Sequence, residues 1–178
     1  MVVPDPNADS TLTDVRREHS SRVTRPRRVL LALLTLLVVA GAAGAFGVRS
    51  DTTSATGGAY RLELTYPRIA RAGQDIPWHV HLVRSGGFDP KTPITLAVTA
   101  DYFDIFETQG FYPEPDGETR DGRMRYLEFA PPPAGDVFEV DFDTYVQPSS
   151  QLGRHAELWV MDGNRRAAGV SYSTWLVP

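Results

Sequence analysis

IPWHVHLV, residues 76–83, sets the fold class. Trp78, Val80 and Leu82 alternate with His79 and His81, so one set faces a core and the other faces away from it. Period-two alternation rich in β-branched and aromatic residues predicts a half-buried β-strand. The same period recurs on both sides. Tyr60, Leu62 and Leu64 alternate with Arg61 and Glu63; Ile94, Leu96 and Val98 with Thr95 and Ala97; Phe138, Val140 and Phe142 with Glu139 and Asp141. Further strand candidates are the aromatic run 102–106, residues 124–129, residues 155–161 around Leu158 and Val160, and residues 171–176. Turn signals separate them: Arg71-Ala72-Gly73, Gly86-Gly87, Asp116-Gly117, Asp121-Gly122, three prolines at 131–133, and Asp162-Gly163-Asn164.

Seven or eight short strands with no helical period predict an all-β antiparallel sandwich over residues 59–178. A small barrel is the alternative, because alternation alone does not place sheet edges. The chain has no cysteine, so packing and not disulfides must hold the core. Trp78, Trp159, Phe138, Phe142 and Tyr102 are the expected large core members.

Upstream stands VLLALLTLLVVAGAAGAFGV, residues 29–48, without a charge. At about 1.5 Å per residue this run matches the roughly 30 Å hydrocarbon core of a bilayer, and it predicts one transmembrane helix. Arg22, Arg25, Arg27 and Arg28 precede it. Residues 1–28 carry six arginines and four acids, whereas residues 49–178 carry twelve basic and eighteen acidic groups. The positive flank predicts a cytoplasmic N-terminus and an extracytoplasmic C-terminal domain, as a single-pass cell-membrane protein. Pro26 is expected just ahead of the helix. Ala43-Gly44-Ala45 resembles a signal-peptidase site, but the long apolar run and long leader favour an uncleaved signal-anchor. The Gly41–Ala45 spacing leaves a homodimer through this helix open. Residues 1–28 read as a disordered cytoplasmic leader and residues 49–58, RSDTTSATGG, as a flexible spacer. Six arginines among four acids make no nucleic-acid interface.

Two stretches carry a family resemblance. YPRIARAGQDIPWHVHLVRSGG, residues 66–87, runs strand, glycine turn, strand, glycine turn; TADYFDIF, residues 99–106, leads through a proline loop beginning FYPEP, residues 111–115. In this spacing residues 59–178 resemble the immunoglobulin-like modules of bacterial cell-surface and envelope proteins. The whole chain resembles small actinobacterial single-pass membrane proteins; one lysine against seventeen arginines agrees with a GC-rich genome. The resemblance implies a structural or binding module.

Chemistry is sparse. His79 and His81 share a strand face, and a His-x-His pair can converge on one metal ion if His155 or an acid from a neighbouring strand supplies a third ligand. The plainer reading is a solvated strand face, and no metal, cofactor or catalytic residue is assigned. Asp101, Asp104 and Glu107 flank an aromatic run, Asp116, Glu118 and Asp121 fall in an expected loop, and Asp136, Glu139, Asp141 and Asp143 surround one strand. None has the dense spacing of a calcium loop. Ser149, Ser150, Ser171 and Ser173 lack a nucleophile-elbow context, and Gly57-Gly58 and Gly86-Gly87 lack the lysine of a phosphate loop. The chain therefore reads as a non-enzymatic interaction module that contacts a membrane or cell-envelope protein. A structural envelope role, or a metal- or carbohydrate-binding domain, is the alternative. Part of the aromatic cluster Tyr102, Phe103, Phe106, Phe111 and Tyr112 is a candidate exposed contact patch, while the plainer reading makes most of it core of a bulged sheet.

Overall fold

The computed structural model describes residues 21–44, 47–147 and 153–177. The chain divides into two compact units, Met1–Phe46 and Gly47–Pro178.

In the first unit, helix α1 spans Ser21–Ala42. It begins inside the stretch expected as disordered leader, and Pro26 lies within it, not ahead of it. The arginines thus occupy the first turns of the helix itself. Leu30, Leu33, Leu36, Leu37 and Val38 are all more than half exposed, so the uncharged part has no polar face. Thr35 Oγ1 donates to the Leu31 carbonyl at 2.8 Å, which satisfies the one hydroxyl in that stretch. No helix among the described residues is long and apolar enough to cross a membrane. The uncharged residues 29–42 cover about 21 Å as helix, short of the roughly 30 Å hydrocarbon core. The helix leaves the expected span after Ala42, where Ala43 and Gly44 turn and Gly44 takes a φ of 73°. Residues 1–20 of the leader, and the Ala45 of both small-residue motifs, lie outside the described residues.

The second unit is all-β. Its strands are β1 (Arg49–Gly57), β2 (Tyr60–Arg71), β3 (Asp75–Arg84), β4 (Ile94–Thr99), β5 (Phe106–Tyr112), β6 (Gly117–Arg120), β7 (Met124–Phe129), β8 (Val137–Val146), β9 (Arg154–Asp162) and β10 (Arg165–Val177). They pair in the order β5-β8-β3-β2-β10-β9-β4-β7-β6, with β1 added to β2. Every pairing is antiparallel except β2 with β10, which run parallel where Ile69–Arg71 meets Trp175–Val177. β2 serves two neighbours in succession. Residues 60–65 pair with β3, and residues 69–71 pair with β10. Pro67 sits between the two stretches and, lacking an N–H, lets the strand change partner there.

The sheet curls until its two ends share one core. Phe111 on β5 lies 6.4 Å from Phe129 on β7, centroid to centroid, and Phe129 lies 5.5 Å from Phe138 on β8. Leu62, Leu64, Trp78, Val80 and Leu82 meet Leu96, Leu127, Leu158 and Val160 in the same buried cluster. The alternation read from residues 76–83 holds: Trp78 is buried, and His79 and His81 are half-buried on the opposite face.

Four expectations are corrected. Residues 49–57 form strand β1, not a spacer, paired with β2 from Gly57↔Tyr60 to Arg49↔Ile69. Threonines suit a strand, and Gly58 with φ 57° supplies the first corner of the two-residue turn. The aromatic run is a 3₁₀ helix over Ala100–Ile105, because Tyr102, Phe103, Ile105 and Phe106 must all reach the core and a flat strand would send half of them out. Strands β5 and β6 add to the expected set; β5 carries a bulge between Thr108 and Gly110 that breaks its period, and β6 is only four residues long. Trp159 faces outward, half-buried, beside Gly169.

Candidate functional site

The polar face of β3 and β8 holds the densest group of chemically capable side chains. Register places His79 opposite Asp141 and His81 opposite Glu139. On the other flank of β3, β2 places Thr65 opposite His79 and Glu63 opposite His81. The row exists because HVH on β3 and EVD on β8 share one period and pair antiparallel. Val80 and Val140, the residues between, are fully buried and fix both strands face down.

His79 Nδ1 lies 2.7 Å from Asp141 Oδ1, and His81 Nδ1 lies 2.9 Å from Glu139 Oε1. An ionised carboxylate can only accept, so each Nδ1 carries the hydrogen and donates it. In a neutral ring this leaves Nε2 with a free lone pair. The histidine side chains are about one-third exposed, at 33% and 36%, so the row is open to solvent. Among the described residues, one group of three metal-ligating side chains converges: His79, His81 and Glu139 each offer a ligand atom within 4.8 Å of the other two.

His155 does not join it. It sits on β9 and its Nδ1 pairs with Ser173 Oγ at 3.0 Å. The third member of the group is instead Glu139, an acid on the neighbouring strand, the other option that the sequence leaves open. The signal for Glu139 was present in the matching HVH and EVD patterns, but only the register selects it.

Three of the other acids singled out, Asp101, Glu118 and Asp121, are engaged elsewhere. Asp101 accepts from Arg120 at 3.0 Å and Glu118 from Arg125 at 2.7 Å. Glu118 stands on β6, not in a loop. Asp121 accepts from the Met124 N–H at 2.8 Å and the Tyr126 hydroxyl at 2.8 Å, and these bonds, the backbone one first, pull its carboxyl below the usual range. Asp89 is lowered in the same way by the Lys91 N–H and the Thr92 hydroxyl. Both are turn-forming aspartates.

Most of the aromatic cluster 102–112 is core, as the plainer reading has it. Tyr102, Phe103 and Phe106 are buried, and Phe111 stacks on Phe142 at 4.3 Å. Burial drives the Tyr102 hydroxyl far above its ordinary range, as it does that of Tyr172. Of the five, Tyr112 alone is fully outside, at 81% exposure. Trp175 on β10, which the sequence did not single out, is 67% exposed beside His155 and Arg154. No protein-family model matches the chain, and no curated protein is similar to it.

Proposed function

We propose that this chain is a membrane-anchored extracytoplasmic module that works by contacting a membrane or cell-envelope protein. One observation carries the reading: the uncharged run 29–48 follows four arginines and leads in sequence into a compact all-β unit whose first strand starts at Arg49. The helical part of that run exposes leucine and valine on every side, a surface that suits lipid and not water. Two large aromatics left outside the core, Tyr112 and Trp175, are the kind of side chain that anchors protein contacts.

The strand order supports an immunoglobulin-like sandwich. Lettered in chain order, β2, β3, β4, β5, β8, β9 and β10 give A to G. The order β2-β3-β8-β5 is then A-B-E-D, and β10-β9-β4 is G-F-C. β1 is an addition ahead of strand A, and the β6–β7 hairpin is an insertion between D and E that extends the second sheet beside C.

Protease added to intact spheroplasts tests the anchor: digestion of the β unit with survival of the N-terminal flank is expected, and protection of the β unit overturns the orientation. Crosslinking in intact cells then tests the contact. A specific membrane or envelope partner is expected. A homodimer alone would favour a self-assembling structural element instead.

A further inference from the structure

We propose that His79, His81 and Glu139 form a surface site for a divalent transition-metal ion of the Zn²⁺ class, with Asp141 as the positioning residue for the His79 ring. Two imidazoles and one carboxylate are a donor set that Zn²⁺ accepts, and hard cations such as Ca²⁺ do not favour imidazole. The ligand atoms already lie within 4.8 Å of one another. A tetrahedral ion with bonds of 2.0–2.1 Å needs neighbours about 3.3 Å apart, so closure requires shifts of roughly 1.5 Å or less. Partly exposed side chains on a fixed strand pair can make shifts of that size by rotation.

Two further features separate this row from an ordinary polar sheet face. Asp141 holds Nδ1 of His79 at 2.7 Å, which orients the ring and leaves Nε2 as the basic nitrogen. Metal-binding histidines as a rule donate their other ring N–H to a carboxylate, a backbone carbonyl or water, and Asp141 is such a partner. The carboxylate count also favours a cation, since Glu63, Glu139 and Asp141 place three carboxylates around two imidazoles. Arg61, the next residue along the same face of β2, is one pair removed from Glu63. Three protein ligands leave a coordination position open toward solvent, because the site lies on an exposed face.

The test uses the full chain, free of any histidine tag, purified in detergent. Zn²⁺ is titrated by calorimetry and Co²⁺ by absorption spectroscopy. One equivalent of Zn²⁺ per chain is expected, with Co²⁺ giving the visible bands of nitrogen and oxygen coordination. His79→Ala and His81→Ala are each expected to abolish both signals, while His155→Ala leaves them unchanged. Asp141→Asn keeps all three ligands and is expected to weaken Zn²⁺ binding about 10–100-fold. Circular dichroism of each variant confirms that the sheet is intact, as these side chains are outside the core. No saturable Zn²⁺ binding, or stoichiometric binding that survives in the H79A/H81A double variant, overturns the site.

Discussion

Thr174 Oγ1 donates to the Pro67 carbonyl at 2.6 Å, and both residues are buried. The bond falls where β2 leaves β3 and takes up β10. A threonine hydroxyl has one hydrogen, so the 2.9 Å contact between Thr174 Oγ1 and the Tyr102 hydroxyl must have tyrosine as donor. One buried hydroxyl thereby ties β10, the bend in β2 and the 3₁₀ helix together. Thr174→Val keeps the volume and strands both partners. We expect a loss of about 1–3 kcal/mol for each group stranded. Tyr102→Phe removes only the outer bond and is expected to cost less. Urea unfolding of both variants checks this; a neutral Thr174→Val would show that the network does not hold the bend.

Trp78 gives the sharpest contrast between the two faces of β3. Its ring meets Phe103, Phe111 and Phe142 edge-on at 5.7, 6.3 and 6.1 Å, and its Nε1 donates to the Tyr172 hydroxyl at 3.3 Å. Trp78→Ala is expected to cost about 3–5 kcal/mol. His81→Ala, three residues away on the other face, is expected to cost under about 0.5 kcal/mol. Denaturant midpoints decide, and equal losses would mean that the two faces are energetically alike.

What the sequence shows and hides follows from how much each strand buries. Strands β3, β4 and β8 bury a full alternating row, so Trp78, Leu96 and Phe142 announce them. β1 buries little beyond Ala55, which packs on the core rim, and its serines and threonines look like linker composition. The Gly110 bulge shifts the phase of β5, so Phe106 and Phe111 reach the same core although five residues apart. The histidine row was half legible. Period two puts His79 and His81 together, but which acids oppose them is a property of pairing register, which one strand alone does not specify.

Trp159 shows size misleading where parity was right. Leu158 and Val160 point inward, so Trp159 must point out, and it lies over Gly169 on the paired strand β10. A Cβ on Gly169 would fall 2.2 Å from the indole ring. Arg166 covers the same ring at 5.1 Å from its centroid. Gly169→Ala is therefore expected to destabilise by about 1–3 kcal/mol by overpacking. Adding Trp159→Ala should recover part of that loss. A double-mutant cycle in urea measures the coupling, and strict additivity would remove the contact as the cause.

The domain boundary can be tested by shortening the chain. Strand β1 lies along β2 from Arg49 to Gly57 and contributes Ala55 to the rim of the core. A chain beginning at Gly47 is expected to unfold cooperatively. One beginning at Ala59 exposes the edge of β2 and is expected to unfold at lower urea and to associate more readily. Equal midpoints, with no difference in sedimentation, would return residues 49–57 to the status of a linker.

Acid should act through the turn aspartates. Asp121 is held below its ordinary range chiefly by the Met124 N–H, with the Tyr126 hydroxyl second, and Asp89 chiefly by the Lys91 N–H, with the Thr92 hydroxyl second. A carboxyl whose folded pKa is depressed binds protons more readily in the unfolded chain. Its contribution to stability is present above the unfolded value, about 3.9 for aspartate, and is lost as pH falls through the lower folded value. Both groups are fully exposed, so each effect is small and its direction is the useful quantity. Melting temperature is thus expected to fall as pH drops below about 4. The Asp89→Asn, Asp121→Asn double variant keeps an acceptor oxygen at each turn but cannot titrate there. Its melting temperature should fall less steeply over the same window. Thermal melts followed by circular dichroism compare the two slopes, and parallel curves would assign the acid sensitivity to other carboxylates.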